Sequence, residues 1–265
     1  MSNVRPAAVA GLFYPSDPLE LQQTVHHFLG DAGEPRNSLD SRQPRALIVP
    51  HAGYLYSGHV AGLVYRRLIN CSQAIRRVLL LGPSHRVPLR GIAVPRWQRF
   101  ALPGGEVLLD REGIDLVAGC EGVIEADQPH VLEHALEVQL PFLNAILDRY
   151  TLVPLVVGEV PAELVAAVID TVVGQDGTLV VVSSDLSHYH PWRDARQRDQ
   201  DTADLILRLE GHLRGEQACG CYAINGLLQV AAQRGWKPEL VALENSGDTA
   251  GSRDRVVGYG GFAFY

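Results

Sequence analysis

The sequence predicts an α/β fold: a single domain with a central mixed, mostly parallel sheet flanked by helices. Three observations lead there. Apolar runs bounded by Pro, Gly and polar residues alternate with stretches of helical period for most of the length, which is the α/β pattern. The runs at 46–49, 78–81 and 179–182 are apolar at every position, as strands buried on both faces are. The 265 residues hold no Pro- or Ser-rich linker, internal repeat or low-complexity block, so one domain over 1–265 is expected.

In order, residues 5–15 read as an extended opening segment with a tight turn at Gly11. Asp17-Pro18 is an N-cap followed by Pro at the first helical position. Leu19, Leu21, Val25, Phe28 and Leu29 give the helix after it an apolar stripe. Residues 30–44 form a polar loop rich in Gly, Pro, Asp and Asn. Pro50 stops the strand at 46–49, Ala52-Gly53 turns the chain, and Ser57 is placed to cap a helix over 58–69. Strands at 78–81 and 92–94 lead to a Pro- and Gly-containing connection, a strand-like 106–109 and a short helix at 112–117. Residues 127–150 carry a strong helical pattern, which Pro141 kinks or restarts. A strand at 152–157, a helix at 161–173 and a strand at 179–182 follow. Helices over 194–209 and 222–235, a strand near 240–243 and a Gly-rich terminal strand in 258–265 complete the chain.

Bulk properties narrow the function. The formal net charge is -7 and no long basic run is present, which argues against a nucleic-acid surface. No apolar run reaches the roughly 18–20 residues that span a bilayer. The opening MSNVRPAAVAGLFYP lacks the apolar core of a signal peptide, so a cytoplasmic protein is expected, with no membrane partner. Four cysteines, Cys71, Cys120, Cys219 and Cys221, are too few for a disulfide scaffold in a chain of this size.

The polar residues with chemical potential gather at strand ends. His51 and His85 each follow a strand-Pro element, and neutral imidazole is the commonest metal ligand. The carboxyl ends of strands are where open α/β sheets bind ligands, so a shared site is expected. In SSDLSHYH, Asp185 stands three residues before His188, after a third strand. A carboxylate there can tune an imidazole as a general base, support a metal ligand, or simply cap a helix start. His190, ahead of Pro191, reads as a surface loop residue. Cys219 and Cys221 precede an apolar helix. A thiolate there is a soft ligand, although C-x-C is not a structural zinc pattern and a buried free thiol is the usual fate of cysteine. In EHALEVQL, His134 and Glu137 share a helical face and suit a supporting or substrate-contact role. No Walker loop, no G-x-G-x-x-G and no G-x-S-x-G elbow is present.

Together RPAAVAGLFYP, VPHAGYLYSG, LGPSH, EHALEVQLP, SSDLSHY and ACG, in this order over nearly the whole chain, resemble the Memo family. This group includes the cell-motility mediators and the bacterial and archaeal AmmeMemoRadiSam system protein B. The resemblance implies a fold like that of the class III extradiol (LigB-type) dioxygenases, which are non-haem iron enzymes. It implies that His51, His85 and Cys219 hold one metal ion, iron or copper, and that His188 acts as general base beside Asp185. Tyr54, His134, Glu137 and Cys221 are expected around that centre. The chain departs from the family pattern at Arg86, where a second histidine is common, and at Cys221, Tyr222 and Ala223, where a basic residue, His and Pro are usual. Which thiol ligates stays open, and the two could form a redox pair. A redox, dioxygenase-like protein of unknown substrate is implied. The alternatives are a non-catalytic peptide- or protein-binding module in an inherited pocket, and a zinc hydrolase. The group's name implies radical-SAM and AMMECR-type protein partners.

Overall fold

The computed structural model describes residues 3–30, 42–175 and 177–265. The strands are β1 (Val4–Arg5), β2 (Ala46–Val49), β3 (Arg77–Pro83), β4 (Ile92–Val94), β5 (Arg99–Leu102), β6 (Gly105–Leu108), β7 (Val123–Glu125), β8 (Thr151–Val157), β9 (Thr178–Ser183), β10 (His188–His190), β11 (Pro238–Asn245) and β12 (Val256–Phe264). The helices are α1 (Pro18–Leu29), α2 (Tyr54–Tyr65), α3 (Arg111–Ala118), α4 (Gln128–Val131), α5 (Leu140–Ile146), α6 (Ala162–Val173), α7 (Trp192–Leu207) and α8 (Cys221–Arg234).

The centre of the molecule is the parallel group β2-β9-β3-β8. Its strands are apolar throughout because helices cover them, and Leu47, Ile48, Leu79, Leu80, Val181 and Val182 are fully buried. The sheet is mixed at its flanks. β12 runs antiparallel to β2 and also pairs with β11, while β4 runs antiparallel to β8 and carries β7. β10 pairs with the start of β12. β1, β5 and β6 form a small separate sheet. Helices flank the main sheet in two groups: α1, α2 and α5 pack together, as do α3, α6 and α8. No helix among the described residues is long and apolar enough to cross a membrane. In the parallel group β2, β9 and β3 are adjacent, so their carboxyl ends open side by side.

Local signals hold at many places. Asp17 caps α1, its carboxylate accepting from the Leu19 and Glu20 amides at 3.0 and 2.9 Å. Leu21, Val25 and Leu29 are buried as expected, whereas Leu19 is exposed. Most of the expected 30–44 loop, residues 31–41, lies outside the described residues.

Three expectations are corrected. The second helix begins at Tyr54, not Gly58, and Ser57 does not cap it; its hydroxyl donates to the Ala52 carbonyl at 2.9 Å. The Tyr54 amide, an orphan of the first turn, finds the Phe13 carbonyl at 2.8 Å, and that tertiary partner moves the helix start forward. The helical pattern at 127–150 breaks into α4, a turn, a 3₁₀ segment Glu137–Gln139 and α5, which begins at Leu140-Pro141. The turn is stabilised by Glu133, whose carboxylate accepts from the Ala135 amide at 3.0 Å. The connection after β4 contains β5, which pairs with β6 in a hairpin, and SSDLSHYH ends in β10.

Candidate metal centre

His51 leaves β2 immediately after Pro50 and is 2% exposed. Its amide donates to Asp185 Oδ1 at 2.7 Å, which ties the end of β2 to the end of β9. Its Nδ1 lies 3.0 Å from Ser183 Oγ. The Ser183 hydroxyl spends its one proton on the Ala135 carbonyl, 2.6 Å away, and also accepts from Gln139 Nε2 at 2.8 Å. It can therefore only accept from His51, which places the imidazole proton on Nδ1 and leaves Nε2 with a bare lone pair.

His85 is held the same way. Glu133 is 1% exposed and accepts from the His85 amide at 2.7 Å and from its Nδ1 at 2.9 Å. An ionised carboxylate only accepts, so His85 also keeps its proton on Nδ1 and its lone pair on Nε2. Burial works against the Glu133 charge, but the His85 ring and the Ala135 and His85 amides hold its carboxyl down at about 2. A carboxylate behind a histidine is the usual device for orienting a metal ligand.

His134 stands on the turn after α4. Its ring stacks on His85 at 4.7 Å between centroids and packs against Phe13 at 4.6 Å. His51 meets both neighbours edge-on, at 5.1 Å from His85 and 5.3 Å from His134. One ligand-competent atom from each of the three lies within 4.8 Å of the others. Burial, reinforced by neighbouring imidazoles, lowers His51 to about 3 and His134 to about 4, so both are neutral near pH 7. Neutral imidazole is the coordinating form. His134 Nδ1 is buried without a hydrogen bond, its nearest carboxylate oxygen being Glu133 Oε1 at 3.4 Å. Three converging imidazoles, two with their Nδ1 hydrogen-bonded to a fixed acceptor and one with an unsatisfied nitrogen, fit a single transition-metal ion.

Cys219 sits just before α8 with Sγ 3.3 Å from His51 Nε2. Burial, then the Asp185 charge, pushes this thiol well above its ordinary value. Without a cation it is a neutral S–H that can donate to His51. Asp185 is itself raised by burial, with the His51 amide and nearby imidazoles pulling the other way. It caps no helix; it fastens His51. His188 lines the same cavity of about 520 Å³, together with His51, His85, His134, Asp185 and Cys219. His190, read as a surface loop residue, lines it too.

Three residues expected around the centre serve elsewhere. Tyr54 is packed in the core, ring on Tyr14 and Phe142, hydroxyl donating to the Val138 carbonyl at 2.7 Å. Glu137 turns away to Arg5, because the break at 132–136 removes the shared helical face with His134. Cys221 is buried as the first residue of α8, so of the two thiols Cys219 faces the cavity. Sequence reasoning missed Glu133, Ser183 and Gln139. Glu133 had one local signal, its adjacency to His134.

Behind His188 a further carboxylate holds the loop. Asp199 on α7 accepts from the Ser187 amide at 2.9 Å, and burial raises its pKa from 3.8 to about 6. A folded value above the unfolded one favours the protonated acid on folding. This stability is fully present below about pH 4 and is lost as pH rises through about 6. In urea unfolding, Asp199→Asn is expected to gain about 2–3 kcal/mol on the wild type between pH 4 and pH 7. Parallel pH profiles for the two proteins would refute this.

The fold and this cluster define an α/β protein with a metal-competent three-histidine site, two histidines following the parallel strands β2 and β3 and the third on the turn after α4. A family model described as "Memo-like protein" matches residues 5–263, and the chain belongs to the Memo family. A MEMO1 family protein of Aquifex aeolicus is 34% identical over 273 residues, covering 98% of this chain and 99% of that protein. One from Sulfolobus acidocaldarius is 35% identical over 279 residues, covering 97% of each. A crystal structure of an uncharacterized protein from Escherichia coli K12 aligns over 82% of this chain and 99% of that chain, with a TM-score of 0.47 and 12% identity.

Proposed function

We propose that this Memo-family chain is a mononuclear iron or copper protein of dioxygenase-like, redox type. In this reading His51, His85 and His134 hold the ion and Cys219 adds a softer donor. The observation that carries it is the convergence of three imidazoles, one ring nitrogen from each within 4.8 Å of the others, two of them oriented through Nδ1 by Ser183 and Glu133. A bound ion supplies Lewis-acid and one-electron redox chemistry. The chain's own residues do the rest. Ser183 and Glu133 keep the two imidazoles in one tautomer, and Asp185 keeps the ends of β2 and β9 together. His188, at the cavity edge and within electrostatic reach of Asp185, is the group to take or give a proton on its ring nitrogen.

The test is metal analysis of protein purified without oxygen. Near-stoichiometric iron or copper is expected, with Cys219→Ser altering its absorption spectrum and Cys221→Ser leaving it unchanged. No metal in the wild type, even after reconstitution, would overturn the proposal and leave a non-catalytic binding module as the better account. Zinc with hydrolytic activity would replace the redox reading by a hydrolase.

A further inference from the structure

A second cavity, of about 810 Å³, adjoins the first and shares His85 and Cys219 with it. Both cavities therefore border His85 and Cys219 of the candidate metal centre. Val87, Leu89, Val157 and the half-exposed Tyr222 give the second one apolar walls. Its charged residues are Arg86, Arg90 and Glu159. Arg90 Nε lies 4.0 Å from Glu159 Oε2 with both side chains exposed, so solvent screens that pair, and with Arg86 the groove carries two guanidiniums to one carboxylate. The Arg86 side chain makes no hydrogen bond or ion pair among the described residues.

The turn that carries Arg86 is built in advance. The Ser84 amide donates to the Val157 carbonyl at 3.2 Å, and the Ser84 hydroxyl donates to the Val87 carbonyl at 2.6 Å. Glu133 grips the His85 amide and ring. On the far side the Glu159 amide donates to the Leu89 carbonyl at 2.9 Å. Any Cβ at Gly158 would collide with that carbonyl oxygen, so glycine is what lets the end of β8 close on the turn. The turn is ordered beforehand, so capturing a ligand has only the Arg86 side chain left to order.

We propose that this groove binds a small carboxylate with a flat apolar body, with Arg86 as the specificity-determining residue. The planar guanidinium accepts a carboxylate as a fork. One arginine without an acidic partner among the described residues, in a groove of net positive charge, matches a monoanion. The ligand's body lies between Tyr222 and Leu89, in the mostly apolar lining usual for small-molecule sites. Its other end points past His85 toward the histidine cluster; only that last statement rests on the metal-centre reading.

The probes are 4-fluorobenzoate and its neutral counterpart 4-fluorobenzamide, titrated by fluorine NMR into the full chain as purified and after removal of metal by chelator. The carboxylate is expected to bind about tenfold more tightly than the amide, the scale of one hydrogen-bonded charge contact. Arg86→Gln should erase that preference and leave the amide's affinity alone, and Tyr222→Ala should weaken both probes. Equal binding of the two probes, or a preference that survives Arg86→Gln, would overturn the proposal. A protein that takes up no metal yet keeps the Arg86-dependent preference would sink the metal reading and leave this one standing. A metal-loaded protein without the preference would do the reverse.

Discussion

Stoichiometric metal in the wild type is expected to fall to background in the His51→Ala/His85→Ala variant. Both imidazoles are held as Nδ1–H tautomers, His51 by Ser183 and His85 by Glu133, so each donates its Nδ1–H to a fixed acceptor, keeps the proton, and offers Nε2 without rearrangement. Removing two of three such donors leaves His134 with Cys219, too few to compete with buffer and water for an ion. A graded version separates ligation from packing. Glu133→Gln keeps all three rings but replaces a pure acceptor by an amide that must present a donor to one of its partners. Metal affinity should then drop about 10- to 100-fold with stoichiometry preserved. Competition with a chromophoric chelator measures both variants, and circular dichroism confirms that each is folded. Undiminished metal in the folded double variant would place the ion elsewhere.

Glu137→Ala is expected to cost about 3–5 kcal/mol of folding stability. Glu137 and Arg5 are 0% and 1% exposed and meet at 2.6 Å. The same carboxylate accepts from the Tyr14 hydroxyl at 2.6 Å, from the Ala8 amide at 2.8 Å and from the Val9 amide at 3.0 Å. Truncation strands a buried guanidinium charge and these other donors together, which costs far more than the net worth of the pair. Replacing both partners by apolar residues, Arg5→Met with Glu137→Leu, should recover part of the loss because the desolvated charge is gone. Urea unfolding of the single and double variants reads the difference. A single variant within about 1 kcal/mol of the wild type would mean that water reaches Arg5. The site would feel this change indirectly, since the segment that Glu137 fastens carries Phe13 against His134.

The legible parts of this protein were those whose cause lies within a few residues. Four consecutive apolar residues ended by Pro50 announce a buried strand with His51 at its carboxyl end, and the run before Pro83 does the same for His85. Asp17-Pro18 announces a helix start because cap and first turn are adjacent in sequence. The alternation of such pieces was enough for an α/β fold and for a site at strand ends. The choice between Glu133 and Glu137 was not legible. It depends on whether residues 132–136 are helical, and that is decided by Arg5, whose Nε and Nη2 bind the His130 and Glu133 carbonyls from 125 and 128 positions away. The choice between Cys219 and Cys221 depends on how α8 meets the end of β9, where the Cys219 amide finds the Asp185 carbonyl at 3.2 Å. Tyr54 sits beside His51 in sequence, yet the start of α2 turns it into the core. The sequence alone determined which strands end in imidazoles, because strand boundaries follow from local apolar runs and proline. Only the tertiary structure decided which carboxylate, hydroxyl and thiol face those imidazoles, because hydrogen-bond partners are chosen by distance in space among groups far apart along the chain.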